Sequence, residues 1–209
     1  MAKTRVKICG ITNWSDAKQA FEAGAEFLGF NFYRESPRYI SPSRAKTIVR
    51  RLPKNVSAVG VFVNESESSV LEIASGVGLK YVQLHGDESP QTVAHLSRRV
   101  RVIVALRVRE PFRATQLARF KGATAFLLDG FDRRVRGGSG KTFDWSVARR
   151  VNRGRKIFLA GGLTPENAAE ASRSVRPYAL DVCSGVEAKP GKKDAARVAA
   201  FLRAVRGDN

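Results

Sequence analysis

Lys7 and Cys9 stand together at the end of the first short apolar segment, in Lys7-Ile8-Cys9-Gly10. If this segment is a strand, alternation places both side chains on the same face. A neighbouring cation favours the thiolate, which lowers the pKa of a thiol from its ordinary value of about 8.5. The alternative is that Cys9 is a small, buried core residue. Its place at a strand end before a glycine keeps both interpretations open.

Asp129 and His85 end two further apolar segments, in Leu127-Leu128-Asp129-Gly130 and Leu84-His85-Gly86-Asp87. A carboxylate in this position is either a helix cap or a catalytic acid. No predicted helix follows Asp129 directly, which weakens the capping interpretation. The other histidine, His95, falls in the middle of a predicted helix, and we expect it to face solvent.

Two glycine-rich turns follow the seventh and eighth apolar segments and together predict an anion site. They are Ala160-Gly161-Gly162-Leu163-Thr164-Pro165 and Asp181-Val182-Cys183-Ser184-Gly185-Val186. Glycines let backbone N–H groups approach a phosphate, and the following helix N-terminus adds a favourable dipole. One such turn is weak evidence for an anion site, whereas two turns after consecutive strands are stronger evidence.

The segment Gly137–Thr142 is also rich in glycine, but it does not match a nucleotide-binding loop. Val135 stands where a P-loop requires its first glycine, so we expect an active-site lid instead. The sequence shows no dinucleotide-binding motif and no cluster of His, Cys and carboxylates with metal-ligand spacing. We therefore expect neither a cofactor nor a metal.

Short apolar segments alternate with amphipathic ones along all 209 residues, which predicts a parallel α/β fold. The predicted strands are Arg5–Cys9, Phe27–Phe32, Val56–Phe62, Tyr81–Leu84, Val100–Leu106, Ala123–Leu128, Lys156–Leu159 and Tyr178–Val182. The predicted helices are Trp14–Ala23, Ser43–Arg51, Glu67–Ser75, Pro90–Ser97, Pro111–Phe120, Trp145–Val151, Pro165–Ser174 and Lys192–Val205.

The strict alternation favours a single (βα)₈ TIM barrel over residues 1–209, with a closed eight-stranded sheet; a doubly wound open sheet is the alternative. The spacing between strands is longer after the second and the sixth, which puts extra residues in Tyr33–Ile40 and Phe131–Phe143. In a barrel these loops leave the carboxyl ends of the strands, where active sites are built.

The composition is basic, with 37 Lys and Arg against 19 Asp and Glu and a net charge of +18. The excess is dispersed, and its densest cluster, Arg133–Arg136, has no interleaved aromatic residues for base stacking. The first explanation of the charge is a basic, solvated outer surface, and the second is attraction of an anionic substrate. We expect no nucleic-acid partner. The chain has no apolar run of membrane length and only two cysteines, so we also expect no membrane contact and a reducing, cytoplasmic setting.

Taken in order, the motifs resemble those of the phosphoribosylanthranilate isomerase family over essentially the whole chain. The matching segments are Lys7–Thr12, Ser36–Ile40, Val59–Asn64, Gln83–Glu88, Leu128-Asp129, Gly137–Trp145, Leu159–Leu163 and Asp181–Glu187. The resemblance implies a (βα)₈ barrel that needs no cofactor. The implied reaction is the Amadori rearrangement of N-(5-phospho-β-D-ribosyl)anthranilate in tryptophan biosynthesis, giving 1-(2-carboxyphenylamino)-1-deoxy-D-ribulose 5-phosphate.

By the same resemblance, Cys9 is the general base, tuned by Lys7, and Asp129 is the general acid. Arg38 is expected to meet the anthranilate carboxylate, with His85 also in the substrate site. The implied phosphate and ribose contacts fall on Gly161, Gly162, Asp181, Cys183, Ser184 and Gly185. Cys183 departs from the family, which usually has Ser there. The change is harmless if the contact is made by the backbone N–H.

Three alternatives compete with this interpretation: the related isomerase of histidine biosynthesis, a nucleic-acid-binding protein and an inactive barrel. The first generally uses two aspartates, the second leaves Cys9, Asp129 and Arg38 unexplained, and the third is disfavoured because every catalytic position holds a competent residue. Neighbouring strands could bring Cys9 and Cys183 within disulfide range, but we expect Cys183 to sit higher and point at the phosphate. The chain is expected to be a monomer or a homodimer.

Overall fold

The computed structural model describes residues 3–108, 111–130, 145–152 and 154–207. Within them, eight parallel strands close into a barrel in the order β1 to β8, with β8 paired back to β1. This confirms the closed barrel over the open sheet. The strands are β1 (Arg5–Ile8), β2 (Phe27–Asn31), β3 (Ser57–Phe62), β4 (Tyr81–Leu84), β5 (Arg101–Arg107), β6 (Ala125–Asp129), β7 (Ile157–Ala160) and β8 (Ala179–Val182).

Helices connect these strands and cover the outside of the barrel. They are α1 (Trp14–Glu22), α2 (Pro42–Val49), α3 (Glu67–Val77), α4 (Pro90–Leu96), α5 (Ala114–Ala118), α6 (Trp145–Val151), α7 (Pro165–Val175) and α8 (Ala195–Arg206). Ser41 and Ser89 cap α2 and α4, and each is followed by a proline at the first helical position. Proline fits there because its missing N–H has no intrahelical partner to lose.

The last helix begins three residues later than the sequence pattern predicts. Lys192–Lys193 form a strand, β10, which pairs antiparallel with β9 (Glu187–Lys189). Asp194 then starts α8, because its carboxylate accepts a hydrogen bond from the Arg197 N–H at 3.0 Å. The hydrophobic pattern did not separate this hairpin from the helix, since both carry charged residues on their exposed faces.

Other predicted element ends shift as well, most of them by one or two residues. The fifth helix, predicted over Pro111–Phe120, is shortened to Ala114–Ala118, and the Arg113 N–H donates to the Gln116 side chain at 2.8 Å at its start. The first strand ends at Ile8 rather than Cys9, and the sixth extends to include Asp129. Both candidate catalytic residues therefore lie at the carboxyl ends of strands.

The barrel interior is apolar at its amino-terminal end and polar at its carboxyl end. Phe27, Tyr81, Phe158 and Tyr178 pack edge to face or tilted, with ring centroids 5.2–6.2 Å apart. A second, larger core lies between the strands and the helices and is built from the alternate residues of each strand. Aromatic packing thus closes the floor of the barrel and leaves polar side chains at its mouth.

The predicted lid over Gly137–Thr142 and the basic cluster Arg133–Arg136 lie outside the described residues. In the part of the chain that the structure describes, no helix is long and apolar enough to cross a membrane.

Candidate active site

A buried ion pair joins the first and last strands inside the barrel. Lys7 and Asp181 are register partners on β1 and β8, and their side chains are 2.9 Å apart, with exposures of only 0% and 8%. Burial, partly offset by Lys7, raises the pKa of Asp181 to about 6. Burial opposes charge on Lys7 as well, but Asp181 and Cys9 outweigh it and raise the pKa of Lys7 above its ordinary value.

Cys9 lies one pleat above Lys7, at the carboxyl end of β1. Its backbone N–H donates to the Val182 carbonyl at 2.9 Å, which completes the last register pair of β1 with β8, Ile8 and Val182. A hydrogen bond from Cys183, together with the charges of Lys7 and Lys193, lowers the pKa of Cys9 well below its ordinary value despite burial. These contacts therefore favour the thiolate form of Cys9.

Gly29 on β2 provides the space that the thiol and the lysine occupy. A Cβ atom on Gly29 would lie 2.8 Å from Cys9 Sγ and 3.1 Å from Lys7 Nζ. Real Cβ contacts are essentially never as short as the first of these distances, so any side chain at this position would displace the thiol. Sequence reasoning assigned Gly29 no role, because a glycine inside a strand is not informative without its neighbours.

Cys183 does not point at the anion site, and the prediction that it does is wrong. Its Sγ lies 3.8 Å from Glu187 Oε1 and 3.7 Å from Lys193 Nζ, and a Cβ atom on Gly10 would lie 3.0 Å from it. Lys193 Nζ also donates to the Cys183 carbonyl at 3.2 Å, which holds the backbone of this turn. The thiol consequently turns back towards β1, and any phosphate contact made by Cys183 falls to its backbone.

Arg38 is held against Glu187 by a two-point ion pair. Nε lies 3.0 Å from Oε1, and Nη2 lies 2.7 Å from Oε2. Lys193 donates to the same carboxylate at 2.9 Å, and these two cations lower the pKa of Glu187 although its burial would raise it. The Arg38 side chain is 23% exposed, so a fixed, partly accessible arginine lies at the mouth of the barrel.

Asp129, the last residue of β6, lies beside His85. The Asp129 carboxylate and His85 Nε2 are 3.5 Å apart, and both side chains are about one quarter exposed, at 24% and 28%. The Gln83 amide donates to His85 Nδ1 at 2.8 Å, so the neutral ring carries its proton on Nε2, towards Asp129. The structure therefore brings together an accessible carboxyl and an oriented imidazole, as the sequence predicts for this edge.

The two glycine-rich turns are in direct contact. A Cβ atom on Gly185 would lie 2.0 Å from the Leu163 carbonyl oxygen, so only glycine allows the turns to approach this closely. Gly161 and Gly162 both have positive φ, at 90° and 65°. Asn167 fixes their turn, since its side chain donates to the Gly162 carbonyl and accepts from the Thr164 N–H, each at 2.9 Å.

Gly162 and Ser184 are both exposed at this edge of the barrel, beside the N-terminus of α7. The pair of turns therefore offers backbone N–H groups and a helix dipole to an anion. Among the described residues, no group of three His, Cys, Asp or Glu side chains could hold a metal ion.

Lys7 and Asp181 occupy a deeper position than the resemblance implies for substrate-binding residues. Because Lys7 is fully buried, the structure places it behind Cys9, where it acts on the thiol. Asp181 neutralises Lys7 and is only slightly exposed. Glu187 and Lys193, to which sequence reasoning gave no role, supply the rest of the charge network.

A thiol with a lowered pKa and a carboxyl group at the mouth of one barrel, next to two glycine-rich turns, are typical of barrel enzymes that move protons on phosphorylated substrates. Comparison with known proteins identifies the family within this class. Residues 6–204 match the family model of N-(5'-phosphoribosyl)anthranilate isomerase, and the chain belongs to this family.

Individual relatives agree with this assignment. An N-(5'-phosphoribosyl)anthranilate isomerase from Trichlorobacter lovleyi is 50% identical over 200 residues, covering 95% of this chain and 96% of the relative. The crystal structure of the phosphoribosyl anthranilate isomerase from Thermotoga maritima superposes with a TM-score of 0.90 at 45% identity, covering 98% and 99%. A further isomerase structure, in complex with reduced 1-(o-carboxyphenylamino)-1-deoxyribulose 5-phosphate, has a TM-score of 0.87 at 43% identity and the same coverage.

Proposed function

We propose that this chain catalyses the Amadori rearrangement of N-(5-phospho-β-D-ribosyl)anthranilate by general acid–base catalysis, with Cys9 as base and Asp129 as acid. The observation that carries the proposal is the Cys9 thiol, whose pKa is lowered well below its ordinary value at the end of a barrel strand. A thiolate at neutral pH is the group that a proton abstraction next to a carbonyl-type carbon needs.

The acid step opens the sugar. Asp129, in its protonated form, gives its proton to the ring oxygen of the ribose while the C1–O bond breaks, and the nitrogen lone pair forms a C1=N iminium. His85 Nε2 beside the carboxylate orients Asp129 and stabilises the negative charge that remains after proton transfer.

The base step completes the isomerisation. The Cys9 thiolate removes the proton from C2, and the electrons of that C–H bond neutralise the iminium to give an enolamine. The enolamine then takes up a proton at C1 and loses the proton of its hydroxyl group, so that the C2 ketone forms. Lys7 lies behind the thiolate and keeps it charged between turnovers.

The two charged ends of the substrate determine its orientation. We place its phosphate on the backbone of the turns containing Gly162 and Ser184, which are exposed side by side at the N-terminus of α7. We place the anthranilate carboxylate on Arg38. Glu187 fixes Nε and Nη2 of this arginine, so Nη1 can bind the carboxylate with little further loss of side-chain entropy.

The proposal treats residues 1–209 as one domain, and the two free cysteines support a reducing, cytoplasmic setting for a thiolate base. Its partner is a small phosphorylated substrate rather than a nucleic acid.

The test is turnover of freshly prepared N-(5-phospho-β-D-ribosyl)anthranilate, followed by the loss of its fluorescence. We expect wild-type turnover, and a fall in kcat of about 10²–10⁴-fold in Cys9→Ala and in Asp129→Ala. His95→Ala is the control, because this histidine is 57% exposed and lies on α4. Absence of wild-type activity, or a single-site variant that keeps more than about a tenth of wild-type kcat, contradicts the proposal.

A further inference from the structure

Cys9 and Cys183 are two free thiols that directly follow the last register pair of β1 and β8, Ile8 and Val182. Paired parallel strands lie about 4.8 Å apart, so residues that leave them side by side come near the Cα separation of about 4.4–6.8 Å that a disulfide spans. Lys7 lies two positions before Cys9 and Asp181 two positions before Cys183, and their ion pair inside the barrel places both thiols at the same mouth.

The side chain of Cys183 turns towards the chain segment that carries Cys9. A Cβ atom on Gly10, the residue next to Cys9, would lie 3.0 Å from Cys183 Sγ. Both cysteines are partly exposed, so a small oxidant reaches them.

We propose that Cys9 and Cys183 form a peroxide-sensitive dithiol site, which a small peroxide oxidises to an intramolecular disulfide. Nothing in the isomerisation requires a thiol at position 183, since Cys183 turns away from the anion site towards Cys9. The charges around the pair favour a nucleophilic thiolate at Cys9: Lys7 lies beneath it, and Lys193 Nζ lies 3.7 Å from Cys183 Sγ.

The oxidation has two balanced steps. The Cys9 thiolate attacks one peroxide oxygen and the O–O bond breaks, giving a sulfenic acid and a hydroxide ion that takes up a proton to form water. Cys183 then attacks the sulfenic sulfur, the S–O bond breaks, and the thiol proton leaves with the hydroxide as a second water. Overall two thiols lose two electrons and two protons to one peroxide, and a dithiol reductant reverses the change.

The disulfide consumes the thiolate that we propose as the general base, so oxidation switches the isomerase off. This consequence rests on the proposed function, whereas formation of the disulfide does not. Disulfide formation and loss of isomerase activity are therefore measured separately on the same samples.

The test treats the full chain with a small excess of hydrogen peroxide, alkylates it under denaturing conditions and measures the intact mass. We expect wild type to lose both alkylatable thiols, to be lighter by two hydrogens and to stay a single chain on a non-reducing gel. Dithiothreitol should restore both thiols and the isomerase activity. The count is unambiguous because the chain has only two cysteines.

Cys183→Ser is the matched control, with each protein compared with its own untreated sample. Without a second thiol, Cys9 should stop at the sulfenic acid, which dimedone labels, and excess peroxide should carry it to a sulfinic acid that dithiothreitol does not reverse. In Cys9→Ser no disulfide can form within the chain, so peroxide should leave Cys183 alkylatable or carry it only to a sulfenic acid that dimedone labels.

Dimedone labelling of wild type to the same extent as Cys183→Ser, with Cys183 still alkylatable, would overturn the dithiol site. A disulfide between two chains would overturn it as well. If the intramolecular disulfide forms and the isomerase activity is unchanged, the dithiol site stands and the proposed role of Cys9 as base fails.

Discussion

Replacing Lys7 with methionine tests the electrostatics beneath the proposed base. The variant removes the cation and leaves Asp181, at 8% exposure, as an unpaired buried carboxylate. At the observed separation of 2.9 Å, two unit charges attract by about 6 kcal/mol at an effective dielectric constant of about 20. Part of this attraction offsets desolvation, and breaking a buried pair from one side typically costs about 3–5 kcal/mol of unfolding free energy.

This loss of stability depends on pH through Asp181. In wild type the pKa of Asp181 is raised to about 6, and removing Lys7 raises it further, because the charge that favoured the ionised form is gone. Relative to wild type, the loss linked to Asp181 is absent below about pH 6, where this carboxyl is neutral in both folded proteins, and it grows as pH rises from about 6 towards the higher pKa of the variant. We therefore expect a loss of about 3–5 kcal/mol near pH 8 and a clearly smaller loss near pH 5.

The assay is urea unfolding followed by far-ultraviolet circular dichroism at both pH values. Lys18→Met is the matched control, since Lys18 is 54% exposed and pairs with Glu22 only at 3.7 Å on the helix surface, so its loss should be below about 1 kcal/mol. A loss in Lys7→Met no larger than in Lys18→Met, or an equal loss at both pH values, would refute the reasoning.

The remaining predictions concern the groups around the thiol and the arginine. Gly29→Ala should lower kcat by about 10–100-fold and also lower Tm, because the new Cβ would lie 2.8 Å from Cys9 Sγ and 3.1 Å from Cys9 Cα; wild-type kcat in this variant would contradict the close approach. Arg38→Lys should raise KM by about tenfold with a smaller change in kcat, since lysine cannot keep the two-point contact with Glu187 and still present a nitrogen to substrate; steady-state kinetics decide this. Iodoacetamide should alkylate Cys9 well below the pH at which an ordinary thiol reacts, and the rate should fall as pH drops through the lowered pKa of Cys9; a rate that rises only at alkaline pH would oppose the lowered pKa.

Much of the fold could be predicted from the sequence, because strand and helix periodicity is local. Lys7 and Cys9 are two positions apart, so a strand places their side chains on the same face, and the structure confirms this prediction. The partner of Lys7 could not be found in this way. Asp181 is 174 positions away, and only closure of the barrel between β8 and β1 sets the register that joins them.

The orientation of Cys183 was predicted wrongly for a related reason. Local sequence places it in a glycine-rich turn next to an anion site, which favours an outward side chain. Its actual direction is set by Lys193 and Glu187, which arrive from the following hairpin and hold the turn from below. The pattern over Lys192–Val205 predicted a helix there, so the hairpin and its lysine were hidden.

The assignment of Cys9 as base and Asp129 as acid is tested most directly by the kinetic isotope effect with substrate deuterated at C2. In Cys9→Ser the residual reaction should be limited by proton abstraction and show a full primary isotope effect on kcat. In Asp129→Asn ring opening should limit the reaction, and the isotope effect should vanish. The reverse pattern, with the isotope effect largest in Asp129→Asn and absent in Cys9→Ser, would contradict the assignment of the two roles.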